Sequence, residues 1–384
     1  MIFPGKIFYS GGVMELLTDT SVKPDLEGFL NVVTKKREPD RVYFIELFLD
    51  DEVKAAVSSK YGLDEKIDPG DKFGELKRDI LVHRFLGYEV FRISVIRKDF
   101  FPMRFVETAD TTQYVEQSRG RREWTEEHRG PIQSIEDFEK YPWPSVDEID
   151  LSPFEWLEKN LPEDMGVYDL TAHILEMLSF LLGYETMCYK MVDEPELIDL
   201  VLDKIGEFYV KYTEVMCDFN CVPIVWGSDD MGFKTSTLVS PDFLREKILP
   251  WHKKCADVAH AKGRPYFLHS CGNLEEIMDD LIDWVGMNAK HSFEDAIMPV
   301  KEYFKVYGHR VSVLGGLDVD FLCRADELSI RKKVREILDV CMNGRKFLKK
   351  YKPGGYCFGT GNTVASYIPL ENYLIMLDEA RKFM

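Results

Sequence analysis

The sequence predicts an α/β fold, a (β/α)8 TIM barrel with an inserted β-rich excursion after the second strand. Short β-rich runs alternate with longer helical patterns along most of the chain. Several of these runs are near-continuously apolar, as parallel strands covered on both faces are. Helix caps and glycine stops fall between them.

Eight strand candidates carry this pattern, the first four being RVYFIELFL from Arg41, YEVFRISV from Tyr88, MGVYDLTA from Met165 and VPIVWGS from Val222. RPYFLHS from Arg264, VGMNAKHS from Val285, RVSVLGG from Arg310 and GGYCFG from Gly354 follow. Gly87 ends a helix predicted over Phe73–Leu86. Asp193 with Pro195 opens a helix in which Leu197, Val201, Ile205, Phe208 and Tyr212 form one apolar stripe. Ser240, Pro241 and Asp242 supply an N-cap, an N1 proline and an acidic first turn to a helix that runs to Ala261 and stops at Gly263. Pro369 starts the last helix, with Leu370, Tyr373, Leu374 and Leu377 turned inward. Residues 97–160 are far too long for a βα connection. Their segments RFVETADT, SRGRREW, EEHRGPIQS and YPWPS suggest a small β-meander or lid, its basic patch a solvated surface. Residues 1–384 are read as a single barrel domain.

The chain carries 49 Lys+Arg against 67 Asp+Glu, a formal charge of −18, which argues against a nucleic-acid or anionic-membrane partner. Its 45% apolar content excludes a disordered chain. No charge-free apolar run approaches the ~20 residues of a membrane span. MIFPGKIFYSGG lacks the charged and apolar blocks of a signal peptide, so a cytoplasmic location is expected. Eight cysteines are too sparse for a disulfide scaffold. Cys188, Cys217, Cys221, Cys255, Cys323 and Cys341 lie in helix-like or apolar stretches and read as packing. Cys217 and Cys221 are spaced as a helical pair, but no histidine accompanies them.

Cys271 and Cys357 stand apart. The fifth strand ends in His269-Ser270-Cys271, and in an extended segment His269 and Cys271 share one face. Both side chains are good zinc ligands. Cys357 on the last strand is flanked by glycines and is expected to face the same central cavity. A His/Cys/Cys trio with one open position is the pattern of a catalytic zinc. The fourth strand ends in Asp229-Asp230, of which one is expected to point inward, with Asp229 assigned as acid or base. Capping of the next turn is the alternative. Glu46, a charge inside an apolar strand, is costly unless paired or functional, and is assigned to the site. His291 is a candidate fourth ligand or proton shuttle. Asp318, Tyr168 and Asp169 are further polar groups near strand ends, and His173 reads as a capping or core histidine. GTGNT (Gly359–Thr363) lacks the lysine and spacing of a phosphate loop.

At these residues the chain resembles the uroporphyrinogen decarboxylase superfamily. The resemblance is carried by FLHSCGN (Phe267–Asn273), VLGGLD (Val313–Asp318) and GGYCFGTGN…YIPLENYLIMLDEARKF (Gly354–Phe383). GPIQSIEDFEKYPWP (Gly130–Pro144) and EPDRVYFIELF (Glu38–Phe48) add to it. It implies an eight-stranded barrel. The decarboxylases' arginine-rich N-terminal segment has no counterpart here, Arg37 and Arg41 being the nearest arginines. RISVIRKDF also departs from their FSDI-type segment. The zinc- and corrinoid-dependent methyltransferases instead keep an H-x-C on the fifth strand and a further cysteine on the last, positions occupied here by His269, Cys271 and Cys357.

The function that this resemblance implies is methyl transfer between a small molecule and the cobalt of a separate corrinoid protein. Zn²⁺ on His269, Cys271 and Cys357 would be the Lewis acid. The small molecule would be a thiol or, slightly preferred, a methoxyaromatic donor, for which Tyr43, Phe48, Phe100, Trp226 and Phe233 offer aromatic surface. No D-x-H-x-x-G stretch of a corrinoid domain is present, so the corrinoid would come on a partner. The alternatives are a metal-free lyase relying on Arg92 or Arg97, and a barrel that carries a corrinoid or tetrapyrrole without catalysis. A homodimer is compatible with apolar outer-helix positions.

Overall fold

Strands that are apolar on both faces need cover on both sides, and the computed structural model builds them into a parallel sheet. It describes residues 16–17, 22–97, 99–109, 121–126, 128–347 and 355–383. Leu170–Thr171, Val225–Ser228, Tyr266–His269, Ala289–His291, Ser312–Leu314 and Tyr356–Cys357 are hydrogen-bonded side by side in that order. Val90–Arg92 pairs in parallel with Gly166–Tyr168, which runs almost directly into Leu170–Thr171. The first predicted run supplies the last links, since Phe44 bridges in parallel to both Tyr88 and Phe358. Eight segments thus follow one another around a TIM-barrel ring.

Side-chain alternation divides the core in two. Tyr43, Ile45 and Leu47 join Tyr168, Trp226 and Phe267 in the cluster inside the ring. Phe44, Tyr88 and Val313 face the larger cluster beneath the helices. The predicted stops hold: Gly87 and Gly263 adopt φ of 83° and 72°, where a side chain would be strained. Ser240 accepts from the Phe243 amide as its N-cap, and the long helix Pro195–Cys217 buries its whole predicted stripe. The helix after Ser240 carries one π-turn, Leu244–Ile248, just before Pro250, which cannot donate to the regular ladder.

The excursion after the second barrel strand opens with an antiparallel hairpin, Phe105–Ala109 with Arg121–Thr125. Its second half is helical rather than a meander, with helices Ile135–Lys140 and Ser152–Asn160. Ser134 caps the first of these from the Asp137 amide, a capping signal legible in the sequence as S-x-x-D. Ser118–Gly120 of the basic stretch and Gly354 lie outside the described residues. Among the described residues no helix is long and apolar enough to cross a membrane.

Glu46 lies at the seam of the ring and not at its mouth, which corrects the sequence expectation. Its neighbours Ile45 and Leu47 point inward, so Glu46 points outward under the last helix. Its carboxylate accepts from the Thr360 amide at 3.1 Å, from the Thr360 hydroxyl, and from Tyr88 Oη at 3.2 Å. Tyr88 in turn meets Tyr373 of the final helix Leu370–Arg381 at 2.5 Å. Burial pushes the Glu46 pKa up to about 8, against the opposing bonds from Thr360 and Tyr88. An acid raised on folding keeps a proton that the unfolded chain releases, so its contribution to stability falls as pH climbs from the unfolded value towards 8. Glu46→Gln keeps a neutral acceptor and removes that loss. In urea titrations the variant should match the wild type within ~1 kcal/mol near pH 5 and exceed it by ~2–4 kcal/mol near pH 9.

Candidate metal centre

Parallel register brings three strand ends level, with Ser228 opposite His269 and His269 opposite His291. His269 and His291 point into the ring and meet Nδ1 to Nδ1 at 2.8 Å. Beyond His269 the chain turns at Gly272, at φ 82°, where an added Cβ would lie 2.1 Å from the Gly232 backbone. Only glycine allows that approach, and it sets Cys271 over the histidine. Cys271 Sγ is 3.5 Å from His269 Nε2. Asp230 accepts from the Cys271 amide at 2.7 Å and lies 3.6 Å from His269 Nε2. Ligand atoms of Asp230, His269 and Cys271 lie within 4.8 Å of one another, a spacing that one ion can bridge.

Two further side chains converge on the sulfur. Ser292 Oγ and Asn362 Nδ2 each donate to Cys271 Sγ at 3.4 Å. Ser292 holds this position at φ 88°, a left-handed conformation uncommon for a residue with a side chain. Gly361 precedes Asn362 where an added Cβ would meet the Phe293 carbonyl at 2.1 Å. Burial pushes the Cys271 thiol up, with Asp230 adding to it and the two donors opposing it. Burial lowers His269 to about 3, helped by the charges of Lys290 and His173, and drives His291 well below the usual histidine value. Both shifts favour neutral imidazoles, and a hydrogen bond along the Nδ1–Nδ1 contact needs the proton on one of the two rings.

At the rim, His173 Nδ1 lies 3.2 Å from Glu176 Oε2. Burial raises the Glu176 pKa; His173 opposes this, and the charge of Asp230 adds to it. His173 is thus a rim residue paired to a carboxylate, not a core histidine. Ala172 before it has a φ of 54°, a second strained non-glycine near the group.

The remaining sequence assignments fall elsewhere. Asp229 is fully buried on the helix side of its strand, where it accepts from the Leu175 and Glu176 amides at 3.0 and 2.9 Å. His252 Nε2 also meets it at 2.9 Å. It caps the helix Leu175–Leu182, and Asp230 takes the inward position assigned to it. Cys357 lies in the cluster inside the ring with Leu314 and Trp226, and burial drives its thiol well up. It is not among the ligand atoms that converge; Asn362, five residues on, reaches the sulfur from that end of the chain. Asp318 caps Val319–Arg324 through the Phe321 amide at 2.9 Å. Tyr168 donates to the Glu46 and Leu47 carbonyls at 2.8 and 2.7 Å, and Asp169 accepts from Tyr212 at 2.8 Å. Tyr43 and Trp226 are buried packing, whereas Phe233 is exposed.

The model of the uroporphyrinogen decarboxylase (URO-D) family matches residues 130–383. The chain belongs to this family. Its fold is similar to that of a methyltransferase from Methanosarcina mazei, with a TM-score of 0.67 and 16% sequence identity over 94% of this chain and 99% of that one. No curated protein sequence matches the chain.

The two adjacent aspartates should separate in the laboratory. Asp229→Ala removes a buried cap and leaves His252 without its acceptor, so unfolding in urea should show a loss of ~3 kcal/mol. Asp230→Ala, at a partly exposed position, should stay within ~1 kcal/mol of the wild type.

Proposed function

We propose that this protein is a zinc-dependent methyltransferase that moves a methyl group between a small molecule and the cobalt of a corrinoid carried by a separate protein. The observation that carries this reading is the convergence of His269, Cys271 and Asp230 at the strand ends. An imidazole, a thiolate and a carboxylate are ordinary zinc donors, and three protein ligands leave a position for substrate. A zinc ion held there supplies Lewis acidity and keeps Cys271 deprotonated.

This chain's own residues do the rest. Ser292 and Asn362 donate hydrogen bonds onto the Cys271 sulfur and favour its thiolate form. Use of His269 Nε2 as a ligand requires its proton on Nδ1, donated to His291 Nδ1. His291 is then a positioning residue rather than a fourth ligand. Glu176, whose pKa burial raises, lies at the rim beside His173, and we assign it to supply a proton to the atom that loses a methyl group. A donor set with one thiolate and one carboxylate is harder than one with two thiolates, which suits a methoxy oxygen better than a thiol. We therefore place a methyl ether, with a methoxyaromatic as the leading case, ahead of a thiol. A free reduced Cys271 suits the cytoplasm.

The lyase reading gains nothing from its arginines. Arg92 is paired with Asp169 at 3.3 Å, Arg97 with Asp99 at 3.1 Å and Arg37 with Asp25 at 3.4 Å. Elemental analysis of untagged protein should find about one zinc per chain. The metal should be lost in a His269→Ala/Cys271→Ala double variant and kept in Cys357→Ala; a metal-free wild type would sink the proposal. In chelator competition, His291→Leu should bind zinc ~10–100-fold more weakly, and His291→Asn, whose amide oxygen can accept from His269, should recover most of that affinity.

A further inference from the structure

Lys290 is the residue of the sixth strand that turns away from the ring, between the inward-facing Ala289 and His291. It is 4% exposed, and among the described residues no carboxylate forms a direct ion pair with it, the charges of Asp230 and Glu294 acting on it from further off. Its ammonium donates to the Ser292 carbonyl at 2.7 Å and the His291 carbonyl at 3.2 Å. The third contact, to the Ser270 carbonyl, is long at 3.4 Å. The rings of Phe293 and Tyr303 lie 4.6 and 5.6 Å away. Buried cations are normally paired with a carboxylate, so this one asks for a counter-charge.

Lys290 also lines a cavity of about 80 Å³. The other walls are mainly apolar, from Met278, Phe293, Ile297, Met298 and Tyr303. Among the described residues the Tyr303 hydroxyl finds only the Met278 thioether, at 3.6 Å. Ser292 forms part of the buried end, and the same hydroxyl bonds Cys271. Glu275, exposed, and Glu294, half-buried, stand on the solvent side, so an anionic end is favoured only at the deep end.

We propose that this cavity binds a small aromatic acid, its acidic oxygen on Lys290 and the Tyr303 hydroxyl and its ring against Phe293 and the methionines. A water needs only about 10–15 Å³ of such space, so this half-open pocket takes the acidic group and the ring edge, with the remainder in its opening. Methionine side chains adapt to such a guest. The ligand's role as methyl donor or demethylated product rests on the methyl-transfer reading; its binding does not.

The test is calorimetric titration of the untagged full chain at neutral pH with benzoate and with benzamide, a neutral ring of the same size. Benzoate should bind saturably and at least ~10-fold tighter than benzamide. Lys290→Met should abolish that preference, and Ile297→Trp, which fills the cavity, should abolish binding of both. If Lys290→Met does not fold, Tyr303→Phe serves in its place and should narrow the preference ~3–10-fold. No saturable binding below about 10 mM, equal binding of the two ligands, or undiminished binding in Ile297→Trp overturns the proposal. Zinc measured on the same samples keeps the two readings apart. Zinc without benzoate binding overturns the pocket alone, whereas benzoate binding without zinc supports the pocket and removes its role in methyl transfer.

Discussion

Closure of the ring at Phe44 is the constraint on which the rest depends. One residue bridges the second segment on one side and the eighth on the other, so no strand can slip without breaking a pairing further round. A slip of one residue would reverse which side chains face the interior. With the register held, His269 and His291 face each other inside while Lys290 turns to the helices. Glu46 ties the same seam from outside, through Thr360 of the last strand's loop and through Tyr88 to Tyr373. That loop also carries Asn362 to Cys271, so the joint that closes the barrel also places one wall of the candidate metal group.

Buried polar groups on the helix side frame the group. Asp229 binds two amides at the start of Leu175–Leu182 and the His252 ring, which itself meets Tyr266 Oη at 2.9 Å. This chain of satisfied contacts anchors the fourth strand, the fifth strand and two helices to one another. The helix it anchors carries Glu176, and His173 precedes it, so their distance from Asp230 is set by a contact that takes no part in binding. Inside, the electrostatics run the other way. Burial pushes both histidines towards the neutral form and the Cys271 thiol towards the protonated one.

Much of the fold was legible because periodicity and punctuation are local. All eight strand runs contain a parallel segment or bridge, and the Gly87, Gly263 and Ser240 signals sit where expected. His269 and Cys271 were legible for the same reason, being two residues apart on one strand. Asp229 and Asp230 were not separable, because adjacent residues beyond a strand end alternate only if the strand persists. Asp229 is taken instead by the helix amides of residues 175 and 176, a contact 53 and 54 positions away in sequence. Glu46 misled because a buried carboxylate reads the same whether it serves a site or a seam. Asn362 left a faint trace, a polar residue among the glycines of GTGNT, yet nothing local says that it reaches Cys271.

On the proposed reading, the place of Cys357 in the inner core changes which metal chemistry the remaining donors would favour. A histidine with two thiolates offers two negative charges to a divalent ion, and so does a histidine with Cys271 and Asp230. Charge neutrality would be kept while one soft donor became hard, which would leave a cation held there a stronger Lewis acid towards oxygen. The sulfur that remains is further quenched by hydrogen bonds from Ser292 and Asn362, which draw electron density from it. Such an arrangement is poorly suited to delivering a thiolate nucleophile, where electron-rich sulfur around the metal helps. On the proposed reading it would better suit polarising an ether oxygen, with Glu176 the rim group assigned to supply the proton that the freed oxygen takes up.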